Sequence, residues 1–130
     1  MAKQVLNNGE TGLVIRTKIN ENFTELYAIG TIVEKADSFI FALTEASDFI
    51  KCTKGTAMTA TVPPNTDVAF VIGTEIEITQ YGAGTVTFAE GSGVTINSPG
   101  SNLVINGQYI IVKLKKIGTD EWLLSGDLTT

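Results

Sequence analysis

Glu75 and Glu77 stand two apart in the alternating stretch TEIEITQY (74–81), which places both carboxylates on one face of a strand. Paired carboxylates are what glycoside cleavage uses, one as acid and the other as base or nucleophile. No aromatic platform flanks the pair in sequence, and a solvated strand face accounts for it as well. The chain contains no histidine. That removes the commonest general base, the Ser-His and Cys-His nucleophile pairs, and nearly all zinc and iron sites. The glycine-rich pieces Gly82-Ala83-Gly84-Thr85 and Gly91-Ser92-Gly93 lack the Gly-Lys-Ser/Thr ending of a phosphate loop and do not open a helix. Asp37, Glu45 and Asp48 do not follow the spacing of a calcium loop. Cys52 is the single cysteine, so the chain forms no internal disulfide, which suits synthesis in a reducing compartment. In the strand-like FIKCT it reads as a small buried side chain. The expectation is a protein that is not an enzyme, with no catalytic, cofactor-binding or metal-ligating residue.

Exposed aromatic rings offer a different chemistry, contact with a sugar. The candidates are Tyr81, Tyr109 and Trp122. Trp122 lies in the terminal strand-like EWLLSG and is expected to close a core. Tyr81 precedes Gly82-Ala83-Gly84 at a predicted hairpin tip, which makes it the best of the three for a glycan contact.

The elements that must position these residues fall into two kinds. From residue 47 onward the hydrophobic period is two. Met58, Ala60 and Val62 share one face of 57–62, and Pro63-Pro64-Asn65 stops that strand. A short apolar run follows at 68–72, closed by Gly73. Ile76 and Ile78 alternate with Glu75 and Glu77 in 74–81, and Val86 and Phe88 point inward in 85–88. Further strands are predicted at 94–97, 103–105, 108–117 and 121–125, separated by Gly, Asn, Ser, Pro or Asp. Many short strands with frequent turn signals predict a mainly β protein whose principal domain is an antiparallel sandwich or barrel-like fold. QYIIVKLKKI (108–117) reads as its central strand, with Ile110, Val112 and Leu114 on one face. Lys113 and Lys115 lie on the other, where they could sit across from Glu75 and Glu77.

Ahead of this domain the period is that of an α-helix. In TGLVIRTKINENFTELYA (11–28), Ile15, Ile19, Phe23 and Leu26 are spaced by four, four and three, which is one helical stripe. The helix would span about 17 residues, roughly 25 Å. It is poorly built to stand alone. Val14, Ile15, Thr17, Ile19 and Thr24 are β-branched, Arg16 and Lys18 precede Glu21 and Glu25, and that order opposes the helix dipole. Its stripe must be buried against the rest of the chain or against the same helix of sister subunits. Asn22, one helical step from Ile19, could set register in such a bundle. The predicted interface is therefore Ile15, Ile19, Asn22, Phe23 and Leu26. The organisation expected is an arm and helix at 1–30 for attachment and oligomerisation, a connector at 31–46 with a strand near 38–43, and a β-sandwich domain at 47–130.

Composition bounds the partners. The 130 residues are 43% hydrophobic and 18% charged, which is normal for a folded domain. A net charge of −5, with nine scattered lysines and arginines, argues against nucleic acid. No apolar run approaches the ~18 residues a membrane span needs, and residues 1–10 have no apolar core of a signal peptide.

Two parts of the chain resemble one class of proteins. KINENFTELYA (18–28) is similar to the KINxNFxELYA helix near the N-terminus of many tailed-bacteriophage virion proteins, among them tail-fibre, tail-spike and capsid-fibre proteins. Thr61-Val62-Pro63-Pro64-Asn65 through Gly73-Thr74, Gly82-Ala83-Gly84-Thr85-Val86-Thr87, Gly93-Val94-Thr95-Ile96-Asn97, and the closing Gly118-Thr119-Asp120-Glu121-Trp122 to Gly126-Asp127-Leu128 resemble a small β-domain recurring in the same class. The resemblance covers most of the chain from Lys18 on. It implies a non-enzymatic virion structural component, usually homotrimeric, made in the bacterial host cytoplasm and sited on the virion surface. The N-terminal arm would hold other virion proteins, and the β-domain would project. The shaft or catalytic β-helix of longer fibres and spikes does not occur in these residues, so tail-spike activity is not carried over. A short fibre, a capsid decoration protein and a collar component all remain open. The rival expectation is a carbohydrate-binding module that meets a host-surface glycan through loops near Tyr81 and 97–102.

Overall fold

The computed structural model describes residues 30–130. The arm, the helix at 11–28 and the predicted interface of Ile15, Ile19, Asn22, Phe23 and Leu26 lie outside the described residues. Eleven strands occur among the described residues: β1 (Ile32–Lys35), β2 (Phe39–Ile40), β3 (Phe49–Cys52), β4 (Met58–Val62), β5 (Glu75–Gln80), β6 (Val86–Glu90), β7 (Thr95–Asn97), β8 (Val104–Ile105), β9 (Ile111–Gly118), β10 (Glu121–Ser125) and β11 (Leu128–Thr129). Single 3₁₀ turns occur at Leu43–Glu45 and Pro99–Ser101. The predicted mainly β character holds. Residues 31–46 contribute β1 and β2, and each strand pairs into a sheet.

The strands form a six-stranded sheet ordered β1-β3-β5-β9-β10-β7 and a five-stranded sheet ordered β11-β8-β6-β4-β2. Both sheets are mixed. Parallel pairs join β1 to β3, β3 to β5, β2 to β4, β4 to β6 and β10 to β7. Antiparallel pairs join β5 to β9, β9 to β10, β6 to β8 and β8 to β11. The expected antiparallel architecture is thus corrected. Successive strands from β1 to β6 alternate between the two sheets, so the return to a given sheet is always a crossover. Parallel neighbours need connections of roughly a dozen residues or more, and here each connection contains a strand of the opposite sheet. Gly82-Ala83-Gly84 is likewise no hairpin tip. It carries the chain from β5 in one sheet to β6 in the other.

One core lies between the sheets. Ile50, Ile76, Ile78, Val112, Leu114 and Leu124 enter from the six-stranded sheet, while Ala60, Val62, Val86, Phe88 and Ile105 enter from the five-stranded one. The alternation along β9 is strict, so the same parity that buries Val112 and Leu114 also buries Lys116, which is 2% exposed. Its ammonium donates to Asn65 Oδ1 at 2.7 Å and to the Phe70 carbonyl at 2.8 Å. Asp120 Oδ1 in turn accepts from the Asn65 backbone N–H. These bonds pin the long connection between β4 and β5 onto the end of the core. The apolar run at 68–72 belongs to this connection and forms no strand. It drives Phe70 inward, edge-on to Trp122 with ring centroids 5.5 Å apart. Trp122 is 1% exposed and closes the core as its sequence context predicted.

Candidate binding surface

The outer face of the six-stranded sheet carries Glu75 and Glu77, the paired carboxylates of the sequence. Cross-strand register places Glu75 opposite Lys115 and Glu77 opposite Lys113, the pairing expected from the alternation. Glu75 bridges both lysines, with Lys113 Nζ at 2.8 Å and Lys115 Nζ at 3.4 Å. The hydrogen bond from Lys113, joined by that from Lys115, holds the Glu75 carboxyl below the usual glutamate range. A general acid needs the opposite shift, so Glu75 is poorly placed to protonate a leaving group. The other acidic residues considered serve the fold separately. Asp37 pairs with Lys54, Asp48 accepts from the Thr31 backbone N–H, and Glu45 is buried and holds Lys35. Cys52 is buried, and burial pushes its thiol up to about 11. Among the described residues no cluster of three or more metal-ligating side chains occurs.

The aromatic candidates divide differently. Trp122 is internal. Tyr81 and Tyr109 come together at one end of the sheet, edge to face, with centroids 5.5 Å apart and planes at 75°. Tyr81 follows the last residue of β5, and its backbone N–H donates to the Cys52 carbonyl at 2.8 Å. The next turn stays close to the backbone of residues 53–56. A Cβ on Gly84 would meet the Thr56 carbonyl oxygen at 1.8 Å, so no larger residue fits there without displacing the backbone. Lys51 lies on the outer face of β3, between the buried Ile50 and Cys52, and its ammonium sits 4.1 Å from the Tyr81 ring centroid. A cation over an exposed aromatic face contributes about 0.5–1 kcal/mol. Ile111, 52% exposed, completes the patch through the row Lys51–Thr79–Ile111.

Tyr109 is held in an uncommon way. Its φ is +67°, in the left-handed region that a bulky side chain rarely adopts. Such a conformation costs about 1–2 kcal/mol. The surroundings enforce it: the Tyr109 N–H donates to the Gln80 carbonyl at 2.6 Å, and the Gln80 N–H donates to the Ile110 carbonyl at 3.4 Å. Gln108 Nε2 donates to the Tyr81 carbonyl at 2.9 Å. Sequence reasoning singled out Tyr81, yet Tyr109 is the more exposed ring, at 66% against 47%. It passed over Lys51 altogether. The signal for Lys51 was its place between two apolar residues in FIKCT, but only strand pairing shows that it reaches Tyr81.

A separate apolar pocket of about 340 Å³ opens at the ends of β2, β4 and β6, lined by Ile40, Pro63, Pro64 and Val68 together with Asp67. Gly91 and Ser92 of the glycine-rich piece 91–93 line it, and none of the carboxylates or aromatic rings singled out above does.

No family model and no curated protein matches the chain. The functional reading therefore rests on the residues themselves.

Proposed function

We propose that the chain is a non-enzymatic structural component of a tailed-phage virion, a short fibre or decoration protein on the capsid or tail. It assembles as a homotrimer through residues 1–30, contacts other virion proteins with its N-terminal arm, and holds the two-sheet head on the virion surface. One observation carries this reading. Three of the residues on which the head resembles the recurring β-domain are ones its own fold depends on: Asn65 receives the buried Lys116, Gly84 permits the close approach to Thr56, and Trp122 seals the core. A resemblance seated on such residues supports a shared architecture more strongly than matching surface positions would. The engagement of Glu75 by two lysines adds a reason to set glycoside cleavage aside.

Assembly is tested at the helix. Ile19→Asp would bury a carboxylate in the apolar stripe and should convert the trimer to monomer, read by light scattering. Retention of the wild-type mass in that variant removes the stripe as the subunit interface.

A second reading, a carbohydrate-binding module, is favoured by one specific observation, the exposed Tyr81–Tyr109 pair with Lys51 beside it. The two readings are compatible, since a displayed head can also bind.

A further inference from the structure

We propose that Tyr109, rather than Tyr81, is the stacking platform of a saccharide site, and that the ligand class is a hexopyranose whose axial C–H groups gather on one ring face. This rests on the carbohydrate-binding reading. Tyr81 has its ring approached by the Lys51 ammonium at 4.1 Å and by the Tyr109 ring, so it buttresses the site. Tyr109 keeps 66% of its surface in water. The C–H groups of such a sugar carry partial positive charge, which matches the negative face of an aromatic ring.

The backbone supplies an independent argument. At φ +67° glycine or asparagine is the residue type with the least strain, and the chain carries tyrosine there. Strain of this kind concentrates at ligand-contacting positions. The neighbouring hydrogen bonds from Tyr109 to Gln80 and from Gln108 to Tyr81 then fix the ring's origin, so the platform is ordered before a ligand arrives. Preorganisation of this sort lowers the cost of binding.

The rim selects the class of ligand. Lys51 has no carboxylate within ion-pair distance among the described residues, and its ammonium offers donors to sugar hydroxyls. Gln108 is exposed and uses its amide nitrogen on Tyr81, leaving its side-chain oxygen as an acceptor. A pair of exposed rings with a cationic donor over Tyr81 and an amide acceptor on the residue next to Tyr109 suits a polyhydroxylated ring better than an apolar peptide or an acyl chain. The base of a nucleotide or nucleic acid would use the same ring face, but it would bring phosphate to a protein of net charge −5.

The test probes a glycan array with the full-length protein, then titrates the methyl glycosides of galactose and glucose into wild type, Tyr109→Gly, Tyr109→Phe and Lys51→Gln. The expected result is binding to hexopyranose-terminated glycans that falls at least tenfold in Tyr109→Gly, stays within about threefold in Tyr109→Phe, and weakens in Lys51→Gln. Equal denaturant midpoints for Tyr109→Gly and wild type exclude unfolding as the cause. Binding that survives Tyr109→Gly overturns this site while leaving the carbohydrate-binding reading intact. Absence of binding to every glycan on the array overturns both.

Discussion

Replacing Tyr109 by glycine and, separately, by alanine tests the backbone assignment on which the candidate surface depends. At an ordinary strand position glycine is less stable than alanine by roughly 0.5–1 kcal/mol, because its unfolded chain has more freedom to lose. At φ +67° the order should reverse. Alanine there carries the left-handed penalty of about 1–2 kcal/mol, and glycine carries none. Subtracting the entropic term leaves Tyr109→Gly more stable than Tyr109→Ala by roughly 0.75 kcal/mol at the centre of the two ranges and by about 1.5 kcal/mol at most. The wild-type tyrosine bears the same backbone penalty, but its ring pair with Tyr81 returns about 0.5–1.5 kcal/mol. It should therefore lie close to the glycine variant. The assay is equilibrium unfolding in urea at one fixed protein concentration, with all three proteins sharing a common slope so that midpoints compare directly. An alanine variant as stable as the glycine variant, or more so, would mean that residue 109 does not occupy the left-handed region. The preorganised platform would then lose its physical basis.

Three further outcomes follow from the core. Phe70→Ala should cost about 3–5 kcal/mol, the usual range for a buried phenylalanine, because it also removes the edge-on contact with Trp122. A loss under about 2 kcal/mol by urea unfolding would show that the connection between β4 and β5 does not plug the core. Cys52 should resist thiol reagents in the native protein at pH 8 and react once the chain is unfolded. Its raised thiol pKa sets the sign of the pH dependence. The native state holds the proton more tightly than the unfolded one, so the contribution is fully present below the unfolded thiol's pKa of ~8.5. It is lost as the pH climbs toward 11. Cys52→Ala should therefore lose less stability than wild type between pH 8 and 11, and parallel alkaline profiles would refute the burial.

Local alternation determined a good deal here. The inward sets Met58, Ala60, Val62 and Ile76, Ile78 and Val112, Leu114 were all readable from spacing, as was the pairing of Glu75 and Glu77 with Lys115 and Lys113. Trp122 as a core residue and Cys52 as a buried thiol were readable too. The parity of β9 also points Lys116 inward, and only the tertiary structure supplies the acceptors it needs there, Asn65 Oδ1 and the Phe70 carbonyl. What tertiary structure alone decided was partnership. A period of two says which face of a strand is buried and nothing about which strand lies beside it or in which direction. Glycine-rich breaks such as 82–84 look alike whether they close a hairpin or carry the chain across to the opposite sheet. The parallel coil of β1 to β6, and the meeting of Tyr81, Tyr109 and Lys51 from three separate stretches, are both consequences of that long-range pairing. Hydrogen bonds between distant strands set it, and their contribution depends on the whole assembled sheet rather than on any window of sequence.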